Sequence, residues 1–241
     1  MTREPLVRRV VARRGEGWPW TIPALSNLEE LELSPGVTFL VGENGSGKST
    51  FVEGFAVAAG FAAEGGSLGF GARTREESPP LADALTLVRG ARRPRTGFFL
   101  RAESFFNVAT RVDDIQREDA RMLDAYGGVS LHEQSHGEGF LALAMHRFGP
   151  DGLYVLDEPE AALSPQGQIT LLHRVHELVA SGAQFLVATH SPILLAFPGA
   201  LIYEMTEDGP VRTAYEDTDH YRVTRAFLDA PDRFLRELFR D

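Results

Sequence analysis

A loop of the kind that binds phosphate is encoded by residues 42–49, Gly-Glu-Asn-Gly-Ser-Gly-Lys-Ser. These residues fit the pattern G-x-x-x-x-G-K-[ST] at every fixed position. The glycines let the backbone bend so that successive N–H groups point inward, where they can bind phosphate oxygens. We expect Lys48 to bind the β- and γ-phosphates of a nucleotide, and the Ser49 hydroxyl to bind Mg²⁺. The predicted phosphate-binding residues are Gly42, Asn44, Gly45, Ser46, Gly47, Lys48, Ser49 and Thr50.

Such a loop needs a strand before it and a helix after it, and the sequence predicts both. Residues 37–41 are a short β-branched and aromatic run, and residues 49–60 are an Ala-rich apolar segment of helical length. The positive end of that helix would add its dipole to the anion site. Lys48 is also the only lysine among 24 basic residues. The alternative interpretation is an ordinary glycine turn between strand and helix.

Two consecutive acids follow a second predicted strand. Residues 153–156 have the pattern of a buried strand, and Asp157 and Glu158 come directly after it. In an open α/β sheet, ligands bind at the carboxyl ends of the strands. We therefore expect Asp157 to hold Mg²⁺, directly or through water, and Glu158 to orient or deprotonate the attacking water. The alternative is an exposed acidic turn.

Two further segments could contribute to the same site. His190 follows a predicted strand at residues 184–189, where it would lie within reach of the γ-phosphate, although a lone histidine is more often structural or solvent-facing. Ser135 and Glu138 precede the apolar segment 140–148 and have the spacing of a helix capping box. The simplest interpretation of these two residues is that they begin a helix.

Composition limits the classes of protein to which the chain can belong. At 241 residues it has room for one large domain or two small ones, with a substantial core. The net charge of −10 argues against a surface that binds nucleic acid throughout, although a local basic patch remains possible. The sequence has no cysteine, no apolar run long enough to cross a membrane and no secretory signal pattern. We expect a cytoplasmic protein.

The rest of the chain predicts elements around this centre. Strands are expected at residues 6–12 and 28–33, a closing hairpin at 201–214, and a C-terminal amphipathic helix interrupted at Pro231. Residues 63–80 have the composition of a mobile loop, and helical segments are expected at 104–126. Arginines crowd into residues 89–95, where they could bind phosphate or form a solvated loop.

With these motifs in order, the sequence from about residue 37 to 192 resembles the ABC-type ATPase superfamily. Residues 42–49 resemble its Walker A motif, residues 153–158 its Walker B motif with the adjacent catalytic glutamate, and His190 its switch histidine. Residues 135–138 lie where the signature motif belongs, and residues 162–165 where the D-loop belongs. The resemblance implies an α/β P-loop NTPase fold, with a mostly parallel central sheet, an N-terminal antiparallel β layer and a small helical subdomain. It also implies one ATPase domain over residues 1–241, with the subdomain inserted at about 80–150.

The sequence departs from the superfamily pattern at four places, three of them in the signature motif. The first signature glycine is His136, the usual glutamine is Glu138, and Gln134 replaces the preceding leucine. A glutamate at that position is similar to the chromosome-maintenance and recombination-repair ATPases, whereas transporter ATPases typically carry glutamine. The Q-loop glutamine has no clear match, and Glu103 is the best candidate for that position and its metal contact. The chain looks like a stand-alone head, similar to short bacterial "AAA family" ATPases.

The resemblance implies ATP and Mg²⁺ as cofactors and a head-to-tail homodimer that forms around ATP. Ser135, Gly137 and Glu138 of one copy would then contact the nucleotide bound to the loop of the other. Lys48, Glu158 and His190 would be the catalytic residues of ATP hydrolysis, with Ser49, Asp157 and Glu103 around the metal. Such a dimer would act on DNA or on a partner protein. Two alternatives remain, the energising subunit of a membrane transporter and a nucleotide-binding switch with negligible turnover.

Overall fold

The computed structural model describes residues 4–68, 79–101 and 135–240. The strands in these ranges are β1 (Val7–Ala12), β2 (Glu30–Glu32), β3 (Val37–Val41), β4 (Gly66–Ser67), β5 (Leu85–Arg89), β6 (Thr96–Arg101), β7 (Gly152–Asp157), β8 (Gln184–Ala188), β9 (Leu201–Thr206) and β10 (Gly209–Thr213). The helices are α1 (Pro23–Ser26), α2 (Lys48–Ala59), α3 (Pro80–Ala84), α4 (His136–His146), α5 (Pro165–Ala180), α6 (Pro192–Leu195), α7 (Asp219–Asp229) and α8 (Pro231–Leu238).

In the larger of the two described sheets, the carboxyl ends of β3, β8, β7 and β6 lie side by side. The order of this sheet is β10-β9-β3-β8-β7-β6-β4. The neighbours from β9 to β6 pair in parallel, whereas β10 and β4 pair antiparallel at the two edges. Arg101 at the end of β6 is in register with Asp157 at the end of β7, and Asp157 is in register with Ala188 of β8. The segments that follow β3, β8, β7 and β6 therefore begin side by side.

The central strands are continuous apolar runs because both faces of the larger sheet are covered. Every residue of β3, β7 and β8 is buried, as is usual for parallel strands. Along β7, Tyr154 and Leu156 pack into a core with α4 and α5. Leu153 and Val155 pack on the opposite face, into a core with α2 and β1.

A smaller antiparallel sheet, with the order β2-β1-β5, belongs to this second core. It is the antiparallel layer that the sequence predicted, and the predicted α/β class with a mostly parallel central sheet is confirmed. Strand β5 was not predicted, because its last residue, Arg89, is the first of the arginine cluster and the strand has no signal of its own. Its place beside β1 fills the third position of the sheet.

Gln184 joins the smaller sheet to the larger one. Its side chain is buried at the start of β8. The Val7 N–H donates to Gln184 Oε1 over 2.8 Å, and Gln184 Nε2 lies 2.7 Å from the carbonyl oxygens of both Val7 and Ser34. One amide thus satisfies backbone groups on β1 and on the turn before β3.

Other predictions fall partly or wholly outside the described residues. The helical segments expected at 104–126 lie outside them, as do residues 69–78 of the loop expected at 63–80. The subdomain expected at about 80–150 stays a prediction, although β5 and β6 within that range belong to the two sheets. The C-terminal helix is interrupted where expected, because α7 ends at Asp229 and α8 begins at Pro231. In the described ranges, no helix combines the length and apolar character needed to cross a bilayer.

Replacing Gln184 with alanine is expected to lower the free energy of unfolding by about 3 kcal/mol, since it leaves three buried backbone groups without their partner. Chemical denaturation of Gln184→Ala and of the exposed control Gln166→Ala measures the difference. The control should change the free energy of unfolding by about 0.5 kcal/mol or less. An equally small change for Gln184→Ala would show that the hydrogen bonds of this amide do not stabilise the contact between the two sheets.

Candidate functional site

The phosphate loop follows β3, in the middle of the larger sheet. Gly42 has a φ of 140° and Gly47 a φ of 96°, in a region that side chains rarely allow. A Cβ atom on Gly42 would lie 3.0 Å from the carbonyl oxygen of Met205, and one on Gly47 would lie 2.9 Å from the side chain of Ile22. Both glycines are therefore required by the packing as well as by the turn.

The loop has a buried hydroxyl that a phosphate chain could partner. A cleft of about 390 Å³ opens beside Asn44, Gly45 and Ser46, but the acidic residues Glu43, Glu204, Glu207 and Asp219 also line it and oppose an anion there. Ser46 Oγ is buried without a hydrogen-bond partner in the described part of the chain, whereas most buried hydroxyls have one. A phosphate oxygen is an acceptor that would satisfy it. The loop residues fit the predicted ligand.

Lys48 is the first residue of α2, and its ammonium group lies over the loop. Nζ donates hydrogen bonds to the carbonyl oxygens of Gly42, over 2.7 Å, and Glu43, over 2.8 Å. Burial lowers the pKa of Lys48 below its ordinary value, and the carboxylates of Glu158 and Asp157 partly oppose that shift. Lys48 therefore brings a positive charge between the glycine loop and the acids that follow β7.

Asp157 connects the beginning of α2 with the end of β6. Its Oδ1 accepts a hydrogen bond from Ser49 Oγ over 3.1 Å, and its Oδ2 lies 3.4 Å from Arg101 Nε. Arg101 also pairs with Glu53 of α2, with 3.0 Å between Nη1 and Oε2. The two oxygens of Asp157 thus contact groups with different chemistry, a hydroxyl on one side and a guanidinium on the other.

Ser49 and Asp157 together fit a magnesium ion bound with phosphate. Mg²⁺ prefers oxygen ligands and is commonly held by one or two carboxylates with substrate phosphates and water. Among the described residues, no group of three or more His, Asp or Glu side chains could hold a metal without such help. Glu103, the third predicted metal residue, lies outside the described residues. Its role stays a prediction.

Glu158 and His190 meet where the segments after β7 and β8 begin. Glu158 has a φ of 51° and a ψ of 51°, a left-handed conformation that costs about 1–2 kcal/mol in a residue with a side chain. Its Oε1 lies 3.5 Å from His190 Nε2, and its side chain is 40% exposed. A strained, partly exposed carboxylate beside an imidazole is an arrangement suited to positioning water.

Two residues outside the predicted motifs hold His190. Glu160 accepts a hydrogen bond from the His190 backbone N–H. Burial raises the pKa of Glu160, and that hydrogen bond partly opposes the shift. On the other side, His220 Nε2 lies 2.9 Å from His190 Nδ1. Burial also lowers the pKa of both His190 and His220, which favours neutral rings.

Ser135 and Glu138 form the capping box that the sequence predicted. Glu138 Oε2 accepts from the Ser135 N–H over 3.0 Å and from Ser135 Oγ over 2.7 Å, and the Glu138 N–H donates back to Ser135 Oγ. These hydrogen bonds lower the pKa of Glu138. Gly137 packs so closely that a Cβ atom would lie 2.8 Å from the carbonyl oxygen of Ala162. The exposed beginning of α4 is thus tied to the turn that follows Glu158.

Two family models match segments of the sequence that contain residues of this site. An "AAA domain" model matches residues 23–80, which include the phosphate loop. A model described as "AAA domain, putative AbiEii toxin, Type IV TA system" matches residues 123–196, which include Ser135, Asp157, Glu158 and His190. No curated protein sequence matches the chain.

Solved structures agree with the chain in fold. The cbiO1 protein of Clostridium perfringens, part of the ABC transporter complex cbiONQ, aligns with a TM-score of 0.52 at 14% identity, over 96% of this chain and 99% of its own. A putative metal-chelate type ABC transporter aligns with a TM-score of 0.51 at 14% identity, over 91% of this chain and 88% of its own. The chain has the fold of an ABC-type ATPase. An SMC head domain from Thermotoga maritima also aligns, with a TM-score of 0.46 at 14% identity, over 86% and 98% of the two chains.

The ABC-type ATPase fold that the motifs predicted is thereby confirmed. Within this fold, the predicted Lys48, Ser49, Asp157, Glu158 and His190 come together at one edge of the sheet. Thr50 lies in the first turn of α2. The signature residues do not join them in the same chain, because the described hydrogen bonds of the Ser135 and Glu138 side chains stay within the capping box.

Sequence reasoning missed Arg101, Glu160 and His220. Arg101 could have been found from the register of parallel strands, since it is the β6 residue beside Asp157. Glu160 lies two residues after Glu158 and has a buried side chain oxygen without a partner in the described ranges. His220 follows the β9–β10 hairpin, and no motif in the sequence connects it to the site.

The arginine cluster at 89–95 is only partly available to a ligand. Arg92 pairs with Asp151 over 2.6 Å and donates to the carbonyl oxygen of Glu4. Arg89 lies on β5, where burial and the nearby Arg93 lower its pKa. Arg93 and Arg95 are exposed. Arg92 and Arg89 are therefore held by contacts within the fold, whereas the solvated-loop interpretation applies to Arg93 and Arg95.

Replacing Lys48 with alanine is expected to weaken ATP binding by about 100-fold, because charge-assisted hydrogen bonds to phosphate are lost. Titration of a fluorescent ATP analogue into Lys48→Ala, wild type and the exposed control Arg13→Ala measures the change. The control should bind like wild type. Wild-type affinity in Lys48→Ala would contradict the assignment of the loop.

Proposed function

We propose that the chain is a Mg²⁺-dependent ATPase in which two copies associate head to tail around ATP. The observation that carries this proposal is the meeting of the phosphate loop with two strand ends. The ammonium of Lys48, the Ser49–Asp157 hydrogen bond and the Glu158–His190 pair all lie on one side of the sheet. These are the groups that binding and hydrolysis of a triphosphate require.

Each residue would have a separate role in the reaction. Lys48 would exchange its carbonyl partners for the β- and γ-phosphates, aided by the positive end of α2. Ser49 and Asp157 would hold Mg²⁺, which neutralises phosphate charge when bound. Arg101 would keep the Asp157 carboxylate oriented. Glu158 would orient or deprotonate the attacking water, with His190 beside the γ-phosphate.

The beginning of α4 would complete the site of the other copy. Ser135, Gly137 and Glu138 lie at the positive end of an eleven-residue helix, where backbone N–H groups favour an anion. Ser135 and Glu138 are exposed, as a contact with another chain requires. To bind phosphate, the Ser135 hydroxyl would have to leave the Glu138 carboxylate. ATP would then stabilise the dimer by binding only to the closed arrangement.

We further propose that the ATP-bound dimer acts on DNA or on a partner protein. The glutamate at position 138 supports this over the alternative of a transporter subunit, since transporter ATPases typically carry glutamine there. The exposed Arg93 and Arg95 offer a small basic surface, whereas the net charge of −10 limits any wider contact with nucleic acid.

Glu158→Gln is expected to bind Mg-ATP but to hydrolyse it at least about 100-fold more slowly, because the amide cannot accept a proton from water. Sedimentation velocity with Mg-ATP should therefore show a trapped dimer, while the exposed control Glu216→Gln should hydrolyse ATP and show none. Normal ATP turnover by Glu158→Gln would show that Glu158 does not activate the attacking water. Adding a short DNA duplex at two salt concentrations tests the partner, since co-sedimentation that falls with salt indicates phosphate contacts.

Substitutions at Ser135 separate its capping role from a role in the dimer. Ser135→Asp keeps a good helix cap but places a negative charge where the γ-phosphate would bind. Ser135→Thr keeps both the cap and the hydroxyl. In the Glu158→Gln background, we expect ATP-dependent dimers with threonine and monomers with aspartate, at equal helix content by circular dichroism. Equal dimerisation of both variants would contradict the composite site.

A further inference from the structure

Two imidazole rings meet at the edge of the candidate site. His190 Nδ1 and His220 Nε2 lie 2.9 Å apart, within hydrogen-bond distance. The ring centroids are 5.0 Å apart and the planes are inclined by 54°. His220 is the second residue of α7, which follows the β9–β10 hairpin and therefore comes from outside the motifs that define the site. The phosphate chemistry proposed above does not by itself require a second histidine here.

The surroundings decide which ring donates the proton in this contact. Two neutral imidazoles at hydrogen-bond distance must share one N–H. The other nitrogen of His190, Nε2, faces the Glu158 carboxylate at 3.5 Å. A carboxylate only accepts hydrogen bonds, so it favours a proton on His190 Nε2. His190 Nδ1 is then an acceptor, and the donor is His220 Nε2–H.

The unpartnered nitrogen of His220 leads to the same assignment. His220 Nδ1 is buried and has no hydrogen-bond partner among the described residues. If His190 donated instead, neutral His220 would carry its proton on Nδ1 and bury an unsatisfied donor. Among buried backbone groups, donors without a partner are rarer than under-satisfied acceptors. With His220 as donor, the proton lies instead on His190 Nε2, which is also buried without a hydrogen-bond partner among the described residues but lies 3.5 Å from the Glu158 carboxylate, whose negative charge favours it.

We propose that His220 is a positioning residue that donates a hydrogen bond to His190 and thereby directs the His190 Nε2–H toward Glu158 and the γ-phosphate. This inference rests on the proposed ATPase function and adds to it a residue that the motifs do not contain. His220 itself touches neither phosphate nor water in the proposed reaction. It holds the orientation of the ring that does, in the tautomer that the Glu158 carboxylate favours.

The segment that contains His220 packs against the segment that contains His190. Thr218 is fully buried and begins α7, accepting from the Tyr221 N–H and donating to the carbonyl oxygen of Tyr215 over 2.8 Å. The Tyr215 hydroxyl donates to the carbonyl oxygen of Pro192 over 3.0 Å. Pro192 is two residues from His190, so these contacts bring the beginning of α7 against the His190 segment. The imidazole contact therefore follows from the backbone arrangement on both sides.

Steady-state ATP hydrolysis by three variants tests the proposal. His220→Ala should lower kcat on the order of 10-fold with little change in KM, since a positioning contact is lost but phosphate binding is not. His220→Gln should recover part of kcat, because its amide N–H can donate to His190 Nδ1. Arg222→Ala, an exposed control on the same helix, should behave like wild type. An unchanged kcat in His220→Ala would overturn the proposal while leaving the ATPase assignment intact.

Two further measurements separate positioning from a general loss of structure. Because His220 acts through His190, the double variant His190→Ala/His220→Ala should be no slower than His190→Ala alone; additive losses would overturn the proposal. Nitrogen NMR of histidine-labelled protein should find His190 Nδ1 as a hydrogen-bonded acceptor in wild type and His220→Gln, and as an acceptor without that hydrogen bond in His220→Ala. A His190 Nδ1 chemical shift that stays unchanged in His220→Ala would equally overturn it. If wild type releases no phosphate from ATP, the proposed ATPase function is wrong. The effect of His220 on catalysis is then wrong as well, even if NMR finds the hydrogen bond between the two rings.

Discussion

The site depends on the parallel register of the strands in the larger sheet. Because β3, β8, β7 and β6 run in the same direction, the segments that follow them begin at one edge. The contact that joins these segments most directly is the hydrogen bond from Ser49 Oγ to Asp157 Oδ1. A slip of one residue in a strand would turn its side chains to the opposite face and would separate the hydroxyl from the carboxylate. The fully buried central strands make such a slip costly.

Charge is the second constraint on this edge of the sheet. Lys48 is buried between loop carbonyl oxygens and the acids after β7, and burial lowers its pKa. Asp157 contacts Arg101 as well as Ser49, and Arg101 in turn pairs with Glu53. Partly buried charges of this kind are stable only when each has a partner. A triphosphate with Mg²⁺ would enter a site in which Arg101 already pairs with two carboxylates, while Lys48 contacts only carbonyl oxygens.

The sequence predicted the elements that have strong local signals. The runs at β3, β7 and β8 are continuously apolar, and the glycine pattern after β3 specifies its own turn, so these elements were found with the residues they hold. Strand β5 was missed because its five residues end in an arginine cluster. Arg101 required knowledge of which strand lies beside β7, and His220 required knowledge of where the chain returns after a hairpin. Such long-range contacts are set by tertiary packing and leave no local pattern.

Two copies of this chain are proposed to complete one another's ATP site, and the protein-concentration dependence of phosphate release tests this most directly. Purified wild-type protein would be supplied with saturating Mg-ATP over a wide range of protein concentrations. The rate per chain is expected to rise with protein concentration, as it would if the dimer were the active form, and then to reach a plateau. A rate per chain that is constant down to high dilution, or no phosphate release at any concentration, would contradict it.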